Sequence, residues 1–182
     1  IYEASAAHMF NVPIESIGKG SPLRQKGKIA ELALGYQGST GALIQMGALK
    51  MGLSENELPE LVSSWRKANP NIKKFWNDVD DSAMTAVRNK SVVKLNNVLV
   101  YYYKKWLFIK LPSGRELCYL NTEIVKGKKF GNDVIRFRGL NQATKKFDYE
   151  ETYGGKLVEN IVQATARDCL AVALCRINAA GY

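Results

Sequence analysis

In the first 90 residues, apolar side chains recur at the three- and four-residue spacing that is typical of helices. Residues 2–10 have this spacing, and Pro13 ends the segment. The next helix is predicted to begin with Ser21 as its N-cap and Pro22 at the first helical position. Its pattern extends to about residue 37.

Two further helices are predicted between residues 54 and 89. Ser54 and Glu57 have the spacing of a capping box, in which each side chain satisfies a free backbone N–H group, and the helix that follows ends at Pro70. The last helix of this region places its apolar residues on one stripe: Ile72, Phe75, Trp76, Val79 and Ala83.

After Lys90 the pattern becomes typical of β-strands. Residues 91–121 are dense in β-branched and aromatic side chains around the turn sequence LPSG, which predicts a β-hairpin. Residues 123–153 repeat short strand patterns between Gly and Asn turns, which predicts a small antiparallel sheet. The tail returns to a long helix with apolar residues at Ile161, Ala164, Cys169, Val172 and Leu174. We therefore expect an α+β fold with a helical region at 1–90, a β-rich insertion at 91–150 and a helical segment at 151–182.

The charge of the chain indicates which kind of partner it could bind. The chain carries 26 Lys and Arg against 17 Asp and Glu, a formal net charge of +9. Residues 82–115 contain seven basic side chains and no acid, interleaved with Tyr101, Tyr102, Tyr103, Trp106 and Phe108. Cations contact phosphates and aromatic rings stack on bases, so this segment suits a nucleic-acid surface. A solvated hairpin with its aromatic rings in the core explains the composition equally well.

The sequence does not indicate a membrane-spanning, secreted, metal-binding or disulfide-rich protein. No apolar run approaches the ~18 residues of a membrane span, and the start lacks the pattern of a secretory signal. The sequence does not begin with Met, so we expect the chain to be a piece of a longer protein. The three cysteines have no metal-binding spacing, and their odd number argues against a disulfide framework. Cys169 and Cys175 fall in an apolar helix and are expected to be buried, inert thiols.

Arg24, Lys28, Leu32 and Tyr36 are four residues apart and form one stripe on the helix that begins near Pro22. Two cations, an apolar side chain and an aromatic ring in a row match a triphosphate joined to a sugar and a flat base. The alternative is a solvated basic face with Tyr36 over a core. The glycines at 35, 38 and 41 follow a helix rather than a strand, unlike a dinucleotide-binding fingerprint, and no Walker A sequence is present.

Residues 24–43, RQKGKIAELALGYQGSTGAL, closely resemble motif B, the fingers helix of family A DNA polymerases, in the form found in bacteriophages and prophages. IYEASAAHMFNVP at the start resembles the segment after the family's first metal-binding motif, and YGGKLVENIVQATARDCL resembles its later palm helix. The resemblance covers roughly 1–50 and 153–176. It implies that 1–90 is a fingers region, with the motif B helix at about 22–37, and that 151–182 belongs to the palm.

The resemblance also implies roles for single residues. Arg24 and Lys28 match the family's triphosphate-binding pair, and Lys28 matches the lysine credited with protonating the departing pyrophosphate. Tyr36 matches the tyrosine beside the templating base. Tyr2 stands where bacterial members often have a phosphate-contacting His. Leu32 replaces the usual Phe or Tyr against the sugar, which removes aromatic stacking there, and Gln37 replaces the usual Gly after the Tyr.

In the palm segment, Gln163 matches the family Gln that contacts the minor groove of the primer-template. Asn160 precedes it by three residues rather than the usual four, and Lys156 stands in for the preceding Arg. Arg115, from the basic segment, is a further candidate DNA contact. Arg167 and Asp168 are expected to form a structural pair or to touch DNA.

The resemblance implies that the family's two catalytic Mg²⁺ ions are held by aspartates of two motifs, which we expect just before Ile1 and just after Tyr182. The expected partners are primer-template DNA and dNTP, without a membrane, for a monomeric protein in the cytoplasm of a bacterial or phage-infected cell. The Mg²⁺ would be held outside this chain, which alone would be inactive. Two alternatives remain: a non-catalytic nucleic-acid-binding module that uses the basic and aromatic surface, and an interaction domain whose charge only maintains solubility.

Overall fold

The computed structural model describes residues 1–128 and 131–181. The fold is α+β, as predicted. The chain divides into two compact units, Ile1–Trp76 and Asn77–Tyr182. The first unit is helical, and the second contains the sheet and the long C-terminal helix. The assignment of 1–90, 91–150 and 151–182 to fingers, insertion and palm stays a prediction, and its last residue, Tyr182, lies outside the described residues.

The helical unit is built around two stacked tryptophans. The rings of Trp65 and Trp76 lie 5.8 Å apart and almost parallel. Each is fully buried and donates its indole N–H, Trp65 to the Glu31 carboxylate at 3.0 Å and Trp76 to the Gly35 carbonyl at 3.2 Å. A buried indole needs such an acceptor, so these bonds fix both rings. The helices are α1 (Tyr2–Phe10), α2 (Pro22–Leu34), α3 (Thr40–Gln45), α4 (Leu58–Ala68) and α5 (Pro70–Asn89).

Both predicted helix starts are present. The Ser21 hydroxyl accepts the backbone N–H of Leu23 at 3.2 Å, and Pro22 opens α2. The Ser54–Glu57 capping box precedes α4. However, α2 ends at Leu34, earlier than the predicted limit near residue 37. The chain leaves the helix there through a turn in which Gln37 has a left-handed φ of 65°.

A glycine allows α1 and α2 to pack closely. A Cβ atom on Gly27 would overlap the backbone carbonyl oxygen of Tyr2 and lie 3.0 Å from the Cβ of Ala6. Gly27 and Ala6 are both buried. The backbone of α1 therefore lies directly against α2, and any larger side chain at Gly27 would separate them.

The second unit contains a six-stranded antiparallel sheet in sequential order. The LPSG hairpin connects β3 to β4, and Gly114 has the positive φ of 87° that its turn requires. A bulge interrupts β4 between Leu120 and Glu123. Lys129 and Phe130, within the segment 123–153 that was predicted to form short strands and turns, lie outside the described residues. The strands are β1 (Val92–Leu95), β2 (Val98–Tyr103), β3 (Trp106–Lys110), β4 (Glu116–Lys126), β5 (Asp133–Leu140) and β6 (Phe147–Thr152).

The two faces of the sheet differ in burial. On the core face the side chains are buried, and they include Val98, Val100, Leu107, Ile109, Tyr119 and Ile135. On the open face, Tyr101, Trp106 and Phe108 are half-buried and Tyr103 is 58% exposed. Because successive side chains of a strand alternate between faces, these aromatic residues are placed away from the core. Of the two explanations for the basic and aromatic segment, the one with its rings in the core does not describe these four residues.

In the part of the chain that the structure describes, packing of the C-terminal helix α6 (Gly154–Ala179) is confined to its first half. Asp80 accepts a hydrogen bond from the Gly154 backbone N–H at its start, and Leu157, Val158, Ile161 and Ala164 are buried. Residues 169–181 are all exposed. The prediction that Cys169 and Cys175 are buried is therefore wrong, because no described part of the chain covers this end of the helix. Val172 and Leu174, and Ile72 of α5, are likewise exposed.

Candidate functional site

The stripe on α2 faces away from the helical core. Ile29, Ala30, Ala33 and Leu34 are buried on one side of the helix. On the other side Arg24 and Lys28 are half-buried, Leu32 is 41% exposed and Tyr36 is 42% exposed. Tyr36 lies in the turn after α2. The helix and the turn after it thus present four predicted dNTP-binding side chains that are at least partly accessible.

Arg24 is held by two residues of α1. It forms an ion pair with Glu3, and its guanidinium lies over the ring of Tyr2, 5.6 Å from the ring centre. The hydrogen bond from Arg24 holds the pKa of the Glu3 carboxyl below its ordinary value. The structure therefore brings together Tyr2 and Arg24, two residues predicted to contact the triphosphate. Glu3 was missed by sequence reasoning, since only the packing of α1 against α2 places it there.

Lys28 lies one helical turn beyond Arg24. Within residues 1–128 and 131–181 it has no ion-pair partner, whereas Lys26 is paired with Glu57 at 3.3 Å. An uncompensated ammonium group close to a guanidinium attracts a polyanion. The arrangement provides a fork-shaped donor, a point charge, and beyond them an apolar and an aromatic side chain.

A separate cleft lies in the second unit, between β4 and the first half of α6. Its volume is about 400 Å³. The side-chain amide of Asn160 donates to the Tyr119 hydroxyl at 3.0 Å, which ties α6 to the core face of the sheet. Burial raises the pKa of Tyr119 to about 12, so its hydroxyl stays protonated at neutral pH. The lining residues are Arg115, Leu117, Cys118, Tyr119, Asn160, Gln163, Ala164 and Arg167.

Arg115 joins the LPSG turn to α6. Its Nε donates to the Asp168 carboxylate at 2.8 Å and its Nη2 to the Ala164 carbonyl at 2.9 Å. The Ser113 hydroxyl also donates to Asp168, at 2.6 Å. These two partners, Ser113 first, lower the pKa of Asp168. Asp168 thus pairs with Arg115 rather than with Arg167, because adjacent residues on a helix point in different directions.

Glu159 organises the remaining candidates on α6. It accepts hydrogen bonds from Lys156 at 2.8 Å and from Gln163 at 3.1 Å. Sequence reasoning missed this residue, although its spacing of three and four residues from them is the signal that would have found it. Of the predicted DNA contacts, Arg115, Asn160 and Gln163 line one cleft, and Lys156 lies beside it. Gln37 belongs to the other unit, after α2.

The part of the chain that the structure describes contains no group of three or more His, Cys, Asp or Glu side chains that could hold a metal ion. Its donor set therefore does not fit the Mg²⁺ ions implied by the resemblance. None of the helices in this part is long and apolar enough to cross a membrane.

No protein-family model matches the chain. It is similar to a bacteriophage polymerase. That relative is the DNA polymerase of Bacillus phage SP02, which is 59% identical over 183 residues covering 100% of this chain. The chain spans 28% of the length of the relative. The similarity extends over both units. It includes the sheet, the part of the chain in which the sequence motifs indicated least about the family.

Proposed function

We propose that this chain is the nucleotide-binding fingers and adjoining palm part of a phage-type family A DNA polymerase. The complete protein would extend a primer by attack of its 3′-hydroxyl on an incoming dNTP. The 59% identity to the phage SP02 DNA polymerase supports a polymerase parent. The order of the motif B helix and the palm helix along the chain supports family A.

The observation that carries this proposal is the accessible stripe on α2. Arg24 would bind phosphate oxygens with its guanidinium, steadied by Glu3 and Tyr2. Lys28 would neutralise the triphosphate and supply a proton from its Nζ to the departing pyrophosphate. Leu32 would pack against the sugar, and Tyr36 would lie beside the nascent base pair.

The cleft of the second unit would contact primer-template DNA. Gln163 is exposed, and its amide can meet acceptors that every base pair presents in the minor groove. Arg115 is engaged with Asp168 and Ala164, so we assign it to shaping the cleft as well as to its charge. The Mg²⁺ ions would neutralise charge on the triphosphate and be held by carboxylates outside this chain.

A non-catalytic nucleic-acid-binding module is the second candidate. The exposed aromatic residues of the open sheet face favour it, because they need no nucleotide for their contacts with a nucleic acid. Preference for a triphosphate separates the two candidates, since a stacking surface has no reason to distinguish dTTP from dTMP.

The test is calorimetric titration of the chain with dTTP and with dTMP. We expect tighter binding of dTTP, and Lys28→Gln should weaken it by about 1.5–3 kcal/mol, the range for a hydrogen bond to a charged group. Lys50→Gln is the matched control, because Lys50 is exposed and lies outside the stripe. Equal affinity for the two nucleotides, or equal losses in the two variants, would exclude the proposed site.

A further inference from the structure

The open face of the sheet belongs to the second unit and is the face opposite the core, and it carries aromatic rings on several strands. On β2 and β3 the rings of Tyr101 and Phe108 are 4.9 Å apart and 13° from parallel. The ring of Trp106 is 6.1 Å from that of Phe108 and 19° from parallel. Three neighbouring rings are thus held in nearly one orientation, as the bases of a stacked strand are.

The same face continues onto β5 and β6. Phe108 pairs with Cys118 on β4, and Leu120, two residues further along, pairs with Arg138. Residues two apart on a strand share a face, so Arg138 lies on the open face with Phe108. Its guanidinium lies 5.2 Å from the ring centre of Phe147 and 5.9 Å from that of Tyr149.

The charges of this face suit an anion. Lys94 and Lys110 are exposed and both pair with Leu99, so they lie on either side of Leu99 at one end of the aromatic rings. Arg138 is exposed on the far side, and no described salt bridge involves it. Three acids of this face each accept a hydrogen bond, and of these Glu123 is also in a described salt bridge. Tyr101 donates to Glu116 at 2.7 Å, Glu123 is paired with Arg136 at 2.6 Å, and Glu151 accepts the Lys128 N–H at 3.3 Å.

We propose that the open face binds single-stranded DNA, with bases stacked on the rings around Phe108 and on Phe147 and Tyr149, and with phosphates against Lys94, Lys110 and Arg138. The choice of DNA rests on the proposed function, whereas the stacking surface itself rests on the sheet. Aromatic rings stack on any unpaired base, since every base has a π-face, and Tyr103, Phe147 and Tyr149 are 58%, 54% and 42% exposed. In a duplex the faces of the bases are occupied by their neighbours, so the surface selects single strands.

The width of the open face agrees with the size of a short single strand of DNA. Four strand spacings separate β2 from β6, a distance of about 19 Å. Sites of about 4–16 nucleotides are usual for sheets that bind single strands by stacking. The face therefore suits a short stretch of unpaired DNA, such as the part of a template strand that has not yet been copied.

The chain contains its own optical reporter for this site. Of its three tryptophans, Trp65 and Trp76 are 0% and 1% exposed, and Trp106 lies half-buried on the open face. Titration with an oligothymidylate of about ten nucleotides should quench Trp106 and protect it from acrylamide. The affinity should fall as salt rises, because phosphate contacts release counterions.

Substitutions then locate the surface. In an anisotropy titration with the labelled oligonucleotide, Phe108→Leu should weaken binding about tenfold. Tyr153→Leu is the matched control, because Tyr153 is 48% exposed and precedes α6 rather than lying on the sheet, and it should change affinity less than about twofold. If Phe108→Leu unfolds the sheet, Arg138→Gln replaces it, compared with Lys67→Gln on α4.

Each result of these experiments either supports or overturns the proposal. Protection of Trp106 together with selective loss in the open-face variants supports the proposal. An unshielded Trp106, equal losses in the control variants, or equal affinity for a duplex of the same length overturns it. Tighter binding of an oligouridylate overturns the choice of DNA. Titration of the same variants with dTTP reports on α2 separately, so that failure of the polymerase proposal and failure of this one are distinguishable.

Discussion

Arg24 on α2 and Glu3 on α1 form an ion pair at the first turn of the stripe. The pair fixes a guanidinium that would otherwise be mobile, and it also places a carboxylate beside the proposed phosphate site. A triphosphate must therefore share Arg24 with Glu3 or displace it. Glu3 thus fixes the position of Arg24 and at the same time weakens the attraction of Arg24 for anions.

Replacing Glu3 by Gln should strengthen binding of dTTP. The carboxylate that competes for Arg24 is removed while the amide still accepts a hydrogen bond. We expect a gain of roughly twofold to fivefold, the scale of a surface ion pair. Calorimetry of Glu3→Gln beside Glu60→Gln, an exposed acid on α4, measures it. Unchanged affinity in Glu3→Gln would indicate that Arg24 does not contact the nucleotide.

Gly27→Ala should destabilise the helical unit by about 1–3 kcal/mol, because the new methyl group would meet the backbone of Tyr2 and the side chain of Ala6. The overlap should outweigh the better helix propensity of alanine. Gly41→Ala is the control, because Gly41 lies in α3 and a methyl group added there would have no neighbouring atom within 4 Å. It should stabilise by about 0.4–1 kcal/mol. Urea unfolding followed by the fluorescence of Trp65 and Trp76 distinguishes the two signs.

Asp168→Asn should reduce stability at neutral pH, and the effect should vanish in acid. The pKa of Asp168 lies below its ordinary value of 3.8, so the folded state holds this proton less tightly than the unfolded chain. The contribution of the Asp168 carboxylate, which Ser113 and Arg115 stabilise, is therefore complete above pH 3.8 and is lost as the pH falls through the lowered value. Urea midpoints of the chain and the variant should converge in that range. If the pair with Arg115 is part of the cause, the loss in a double variant with Arg115→Gln should be smaller than the sum of the two single losses.

Leu32→Tyr should raise the use of dideoxynucleotides by the complete polymerase. With leucine at this position no aromatic ring lies against the sugar, and incorporation of chain terminators should be poor. Leu32 is 41% exposed, so the larger ring can be accommodated without repacking the core. The ratio of dideoxy to deoxy incorporation in a primer-extension assay measures the effect. A flat ratio with full activity would argue against contact between Leu32 and the sugar.

Features specified by neighbouring residues could be predicted from the sequence. The start of α2 depends on Ser21 and Pro22, and the capping box depends on Ser54 and Glu57, so local chemistry sufficed. The stripe on α2 was visible for the same reason, since a helix fixes which residues share a side. The end of α2 was placed too late because Gly35 and Gln37 permit a turn that an apolar pattern does not reveal.

Features that depend on distant residues could not be predicted. The pairing of Arg24 with Glu3 requires α1 to lie on α2, and that of Arg115 with Asp168 requires α6 to lie beside the LPSG turn. The burial expected for Cys169 was wrong for a related reason. Apolar periodicity indicates that a helix has a face to bury but contains no information about whether a neighbour covers it.

The exposed half of α6 also affects how the isolated chain behaves. Leu170, Val172, Leu174 and Ile177 are each at least half exposed on it. A helical segment without tertiary packing is held only by its backbone hydrogen bonds and propensity, which are marginal in water over a few turns. Its amide protons should therefore exchange with solvent much faster than those of the packed half around Leu157, so that one continuous helix contains two regions of very different local stability.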